Sequence, residues 1–283
     1  EIGVRLVGSE MCIRDRGEVM YKNEDYLKKE IMNQSRHLFM FGYNSQDRSK
    51  FLKSLETDYP YTADFSKPIA LYFDSFGLPK AELDIRSMDI YMLQSMCREY
   101  LAFLVASKIL SKTIRFNDTN LDDKLSWLIS LTNINRNPNY AEIVSPLDLL
   151  REFNVTRDFY YENYIKYVNG LIESIPIDDV SIPFLDLEMF VNQYKRCMNM
   201  QTYFGVLFDK KSELSVFSIQ AINNLIGARI NSDISVKVAV EPDNWETYCG
   251  VNGQHIEPTH DYGIVELDDS YGTYTRKLMK TNK

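Results

Sequence analysis

Short, continuous apolar runs, each leading through a turn into a helical pattern, recur at both ends of the chain and limit what it can fold into. Leu38, Phe39, Met40 and Phe41 run into Gly42. "KPIALYFDSFGLP", Lys67 to Pro79, is a second run, bracketed by Pro68 and by Gly77-Leu78-Pro79. "TYFGVLFDKK" (Thr202 to Lys211), "ISVKVAV" (Ile234 to Val240) and "DYGIVEL" (Asp261 to Leu267) complete the set. Runs of this length with turn residues at their ends predict buried strands. Between them, helical spacing is expected over 20–35, 49–56 and "SVFSIQAINNLIGARI". The middle reads as helix throughout: a long segment from "IRSMDIYMLQ" to Leu110, then 121–133, 145–152, 157–175 and 186–200. Asn137-Pro138-Asn139, Ser145-Pro146 and "ESIPIDDVSIP" supply the breaks. Strand and helix alternating around a helical block predict an α/β fold. Its core is a mostly parallel sheet with a large helical insertion at about 84–200.

The 283 residues are 45% hydrophobic and 25% charged, enough for a substantial core. No apolar run approaches the roughly 18 to 20 residues that cross a bilayer, so no membrane segment is expected and the cytoplasm is the default location. A formal charge of −8 does not support a nucleic-acid partner. Cys12, Cys97, Cys197 and Cys249 are scattered singly, which fits a reducing compartment better than a zinc site or a disulfide framework. The first 16 residues, "EIGVRLVGSEMCIRDR", stand apart. Leu6 to Asp15 reads as a translation of a transposase-type sequencing-library adaptor (CTC GTG GGC TCG GAG ATG TGT ATA AGA GAC), the alternative being a natural β-strand, "IGVRLVG", so the folded domain is expected over 17–283. That origin suggests a bacterial, metagenomic assembly, with the C-terminus also an arbitrary truncation.

"HLFMFGYNSQDRSKFLKSLE", His37 to Glu56, has the strand, glycine turn and helix that a phosphate-binding P-loop requires. The consensus G-x-x-x-x-G-K-[ST] lies over Gly42 to Ser49 without a gap. Gly42 and Ser49 match, Asp47 replaces the second glycine, and Arg48 replaces the lysine. On this reading Gly42, Asn44, Ser45, Arg48 and Ser49 are nucleotide-binding candidates. Ser49 and Asp209, the acid that ends the strand "YFGVLFD", would hold Mg²⁺, and Asp209 is the catalytic candidate. Asp47 puts a carboxylate where a triphosphate would sit, and the arginine fork does not substitute for a compact ammonium. Lys210 follows Asp209 where ATPases of this kind place a water-polarising glutamate, a task no cation performs.

Three other features invite chemistry. His260 and Asp261 are adjacent, so on a strand they point to opposite faces and do not form a dyad; a loop-anchoring role is expected. Trp245 is expected to anchor its loop. "VKVAVEPD" has the letters of a nuclease cluster in the wrong order.

"VLFDKKSELSVFSIQAINNLIGARINSDISVKVAV" resembles the acidic strand, helix and sensor strand of bacterial origin-recognition-type AAA+ ATPases, a branch of the STAND/AAA+ P-loop NTPases. "TYCGVNGQHIEPTHDYGIVELD", Thr247 to Asp268, is similar to that family's continuation. "LFMFGYNSQDRSKFL" and "KPIALYFDSFGLP" would be its first two strands. The resemblance covers roughly 36–80 and 200–270 and implies ATP and Mg²⁺ as cofactors, with Lys237 as the sensor-strand lysine. It implies a degenerate AAA+/STAND module acting as a nucleotide switch, with protein partners and without the family's C-terminal lid. Whether slow hydrolysis through Arg48 and Asp209 survives stays open. The alternative is an inactive scaffold that keeps the P-loop fold and works only through protein–protein contacts.

Overall fold

The computed structural model describes residues 19–21, 24–42, 45–62, 65–74, 76–80, 89–116, 143–210, 213–228, 233–241, 244–268 and 273–276. Seven strands form one sheet: β1 (Val19–Tyr21), β2 (His37–Gly42), β3 (Ile69–Phe73), β4 (Phe204–Asp209), β5 (Ile234–Val240), β6 (Tyr262–Asp268) and β7 (Thr273–Arg276). The order across the sheet is β1-β7-β6-β2-β5-β4-β3. The five strands from β6 to β3 are all parallel, while β7 and β1 extend the β6 edge antiparallel. The fold is α/β. The described helices are α1 (Glu24–Asn33), α2 (Ser45–Asp58), α3 (Ile90–Arg115), α4 (Pro146–Val168), α5 (Leu187–Met198) and α6 (Val216–Gly227). Between β3 and β4 lie α3, α4 and α5.

The two-residue period of a strand sorts the sheet into two faces. Leu38, Met40, Ala70, Tyr72, Leu207 and Ala239 pack with Leu27 and Ile31 of α1 and with Phe51, Leu52 and Leu55 of α2. Their neighbours Phe39, Phe41, Leu71, Val206, Phe208 and Val238 face α3 to α6 in a larger core. α1 carries the chain from the edge strand β1 to β2, α2 carries it on in the same direction past β5 and β4 to the edge strand β3, and the later connections return. Right-handed crossovers then require α2 to lie on one face and the returning helices on the other. The outer edge of β3 is covered as well: Tyr59 O accepts from Ala70 N at 2.9 Å, and Glu56 Oε1 accepts from Tyr72 N at 3.3 Å. Glu56 also pairs with Lys108 and Lys112 of α3, which closes the rim of the sheet.

Helix starts follow local chemistry. Asp89 and Asp186 cap α3 and α5, Ser215 caps α6, and Ser145 forms a capping box with Asp148 ahead of Pro146 at the start of α4. Three boundaries differ from expectation. Residues 19–21 are a strand rather than the start of a helix, because they pair with β7, a short polar strand without an apolar run to announce it. The helix expected at 49–56 begins at Ser45. The helices expected at 145–152 and 157–175 are one, Pro146–Val168; no Gly or Pro interrupts it, and the β-branched Thr156 within it is buried. The predicted helix at 121–133 and the adaptor-like segment 1–16 lie outside the described residues.

His37 opens β2, and its Nδ1 accepts from Val236 N at 2.9 Å. Burial, reinforced by the Lys237 charge and opposed by Asp261, lowers this imidazole from 6.5 to about 4. Below pH 6.5 the unfolded chain takes up a proton that the folded imidazole refuses until about pH 4, so stability falls through that window. The loss is on the order of 3 kcal/mol. Urea unfolding across this range is expected to show the loss, and His37→Asn, which keeps an acceptor near Nδ1 but does not titrate, to flatten it.

Candidate functional site

The same alternation that builds the core sets the site. Asp209 is the last residue of β4 and shares the parity of Gly205 and Leu207, so its side chain emerges on the α2 face. Tyr72 of β3 emerges on that face too. From above, α2 projects Arg48 and Ser49 from its first turns toward the carboxyl ends of the strands. Four side chains therefore meet. Asp209 has no exposed surface and Arg48 is only 2% exposed. Arg48 Nε lies 3.5 Å from Asp209 Oδ1, and an Arg48 terminal nitrogen donates to Lys210 O at 3.4 Å. Ser49 Oγ donates to Asp209 Oδ2 at 2.5 Å, and Tyr72 OH donates to the same oxygen at 3.1 Å. Burial, and then the charge on Asp209, pushes the Tyr72 phenol above its ordinary range, so it stays a donor.

The carboxyl-end location is where open α/β sheets place ligands: β2 sends its connection one way across the sheet and β5 sends its connection the other. The loop between β2 and α2, however, is only Tyr43 and Asn44. A P-loop keeps its cradling residues ahead of the helix, so that their N–H groups converge on phosphate. Here Ser45, Asp47, Arg48 and Ser49 already belong to α2. Gly42 closes β2, Ser45 opens α2, and Asn44 lies outside the described residues. Asp47 is exposed on the first turn, 3.0 Å from Lys50, rather than aimed at the strand ends.

Magnesium fits this arrangement poorly. Neighbouring oxygens around an octahedral Mg²⁺ stand about 2.9 Å apart. The Ser49 and Asp209 oxygens are closer than that and share a proton, with the Arg48 cation already against the other carboxylate oxygen. Among the described residues no group of three or more His, Cys, Asp or Glu side chains could hold a metal ion.

Lys237 is not brought to the site. It pairs with Leu38 and Leu207, two residues short of Ala239, which is the residue opposite Asp209. Its Nζ points to the amino ends of the strands and donates to Gln34 O at 2.8 Å and Arg36 O at 2.6 Å. Burial pushes this ammonium well below the usual lysine range. The sensor-strand role implied for Lys237 therefore has no geometric basis; the lysine ties the segment before β2 to the sheet.

Lys210 donates to Asn244 O and lies 5.9 Å from the Trp245 ring centre. Trp245 packs edge-on against Phe39 at 5.2 Å and donates to Asn223 Oδ1, so it anchors the β5–β6 connection. Asp261 is buried and accepts from Glu257 N at 2.8 Å, closing a turn, while His260 is exposed. Tyr72 is the site member that sequence reading missed. A lone hydroxyl in an apolar strand, at the same parity as its buried neighbour Ala70, was the available signal.

No protein-family model matches this chain, and no curated protein matches it. The likeness to AAA+ proteins thus rests on the motifs alone.

Removing Asp209 would strand the Arg48 guanidinium in a buried site. Asp209→Ala is expected to destabilise the fold by about 3–5 kcal/mol in chemical denaturation. The double change Arg48→Met, Asp209→Leu is expected to recover most of that, because it removes both charges and keeps their volume.

Proposed function

We propose that the chain is a protein-interaction scaffold on a P-loop-type α/β core, with its nucleotide site filled by its own side chains. One observation carries this reading: Arg48 and Ser49, the residues that would face phosphate and Mg²⁺, are both spent on Asp209. The early start of α2, two residues after β2, supports it by removing the loop that would wrap a phosphate. Lys210 adds to it, since its amine is tied to Asn244 O and it follows Asp209 where a water-polarising glutamate would stand. Work through surfaces is supported by the outer face of α4, where Leu147, Val155 and Tyr161 are exposed within about a third of the helix circumference.

A nucleotide-dependent switch is the second reading. It is favoured by the convergence of Arg48, Ser49 and Asp209 at the carboxyl end of the sheet, the place such a site would occupy. On that reading an incoming phosphate would have to draw Arg48 out of its pair, and Ser49 would release Asp209.

Calorimetry with ATP and ADP in the presence of Mg²⁺ separates the two readings. Neither the native chain nor an Asp47→Gly, Arg48→Lys variant is expected to give saturable heat, because neither change restores the missing loop. Saturable binding to the native chain, weakened by Ser49→Ala, would replace the scaffold with the switch.

A further inference from the structure

On the other face of the sheet, away from Asp209, a cavity of about 490 Å³ opens between α3, α6 and the segment 184–188 that leads into α5. Its volume is that of a small-molecule site, and Leu101, Ala221, Leu225 and Phe184 give it apolar walls. Phe184, one of the lining residues, is 41% exposed among the described residues.

The charged lining is one-sided. Glu99, Asp186 and Glu188 all face the cavity, against Arg98 alone. The Glu99 side chain is only 3% exposed; Oε1 accepts from Arg98 at 2.8 and 3.0 Å, and Oε2 accepts from Leu185 N at 3.0 Å. Arg98 itself is largely in solvent, with 63% of its side chain exposed. Asp186 caps α5 through Met189 N. Glu188 makes no ion pair or hydrogen bond with any described residue and stands in the first turn of α5. Burial raises the carboxyls of both Glu99 and Glu188, and the charge on Asp186 raises them further. Three carboxylates from two elements thus gather around one apolar cavity, and the charge on Asp186 opposes ionisation of the other two. Perturbed acids with a charged neighbour, lining a cleft, make it a candidate functional site.

We propose that this cavity binds an organic cation, a guanidinium or ammonium group on an apolar stem, with the stem against Leu101 and Leu225 and the charge among Glu99, Asp186 and Glu188. A free amine and a basic side chain of a partner protein share that chemistry. The lining disfavours an anion, and the carboxylates do not form a cluster able to chelate a metal ion. The cavity does not share residues with the Asp209 cluster, so this inference stands whether or not nucleotide binds there.

The test is calorimetry on the full chain with three probes: pentylguanidinium, its neutral counterpart pentylurea, and a blocked tripeptide of leucine, arginine and leucine. Pentylguanidinium or the tripeptide is expected to bind saturably and pentylurea not at all. The tighter of the two cations identifies the source as a free amine or a protein side chain. Glu188→Gln, confirmed folded by circular dichroism, is expected to weaken the better cation about tenfold, the effect of one charge-assisted contact. Failure of both cations to bind, equal binding of pentylurea, or unchanged affinity in Glu188→Gln would overturn the proposal.

Discussion

The carboxylate of Asp209 is the constraint on which the α2 side of this structure depends. A fully buried carboxyl group at the end of β4, one strand in from the edge, is tolerable only if a cation and several donors meet it. Arg48, Ser49 and Tyr72 meet that need from two elements, α2 and β3. Arg48 and Ser49 can reach only because α2 begins at Ser45 and presents them side by side on its first two turns. A longer loop between β2 and α2 would move both residues and leave the acid without its cation. The short loop and the buried pair therefore require one another. That mutual dependence, more than the loss of a glycine or a lysine, separates this site from one that wraps phosphate.

The opposite end of the sheet answers the same physical problem differently. Lys237, buried on the same face, has no carboxylate to pair with and takes two backbone carbonyls instead. Those carbonyls belong to the segment between α1 and β2, and each also accepts from a hydroxyl, Gln34 O from Tyr203 and Arg36 O from Ser235, so the lysine joins a polar cluster that ties this segment to the sheet. His37 stays neutral next to it and accepts from Val236 N. One end of the sheet is thus held by an ion pair and the other by a lysine and a neutral histidine bonded to backbone groups.

Much of this was legible in the sequence, for identifiable reasons. The strands β2 to β6 are buried on two faces, so each appears as a continuous apolar run, and their parallel order followed from the alternation with helices. The β7 strand and its partner β1 lie at the edge and carry no such run; only pairing defines them. The two helices expected at 145–152 and 157–175 are one, because burial of Phe153, Thr156 and Tyr160 overrides the low helix propensity of Asn154, Val155 and Thr156 between them. In the site, the types of Arg48, Ser49 and Asp209 were readable but their partners were not. A consensus laid over Gly42 to Ser49 assumes where the helix starts, and a shift of four residues turns phosphate ligands into internal donors.

Lys237 shows the same limit in a strand. A lysine in the expected strand is consistent with a sensor role, but position along that strand decides which end of the sheet it serves. Each residue advances a strand by about 3.3 Å, so the two positions between Lys237 and Ala239 amount to about 7 Å. A flexible lysine stem could span that distance, yet the side chain runs the other way, toward Gln34 O and Arg36 O. The carboxyl end beside Asp209 is already supplied with a cation by Arg48, and a second buried positive charge there would oppose the first. The acid's single negative charge supports one cation, so the lysine is more stable among the carbonyls at the amino end.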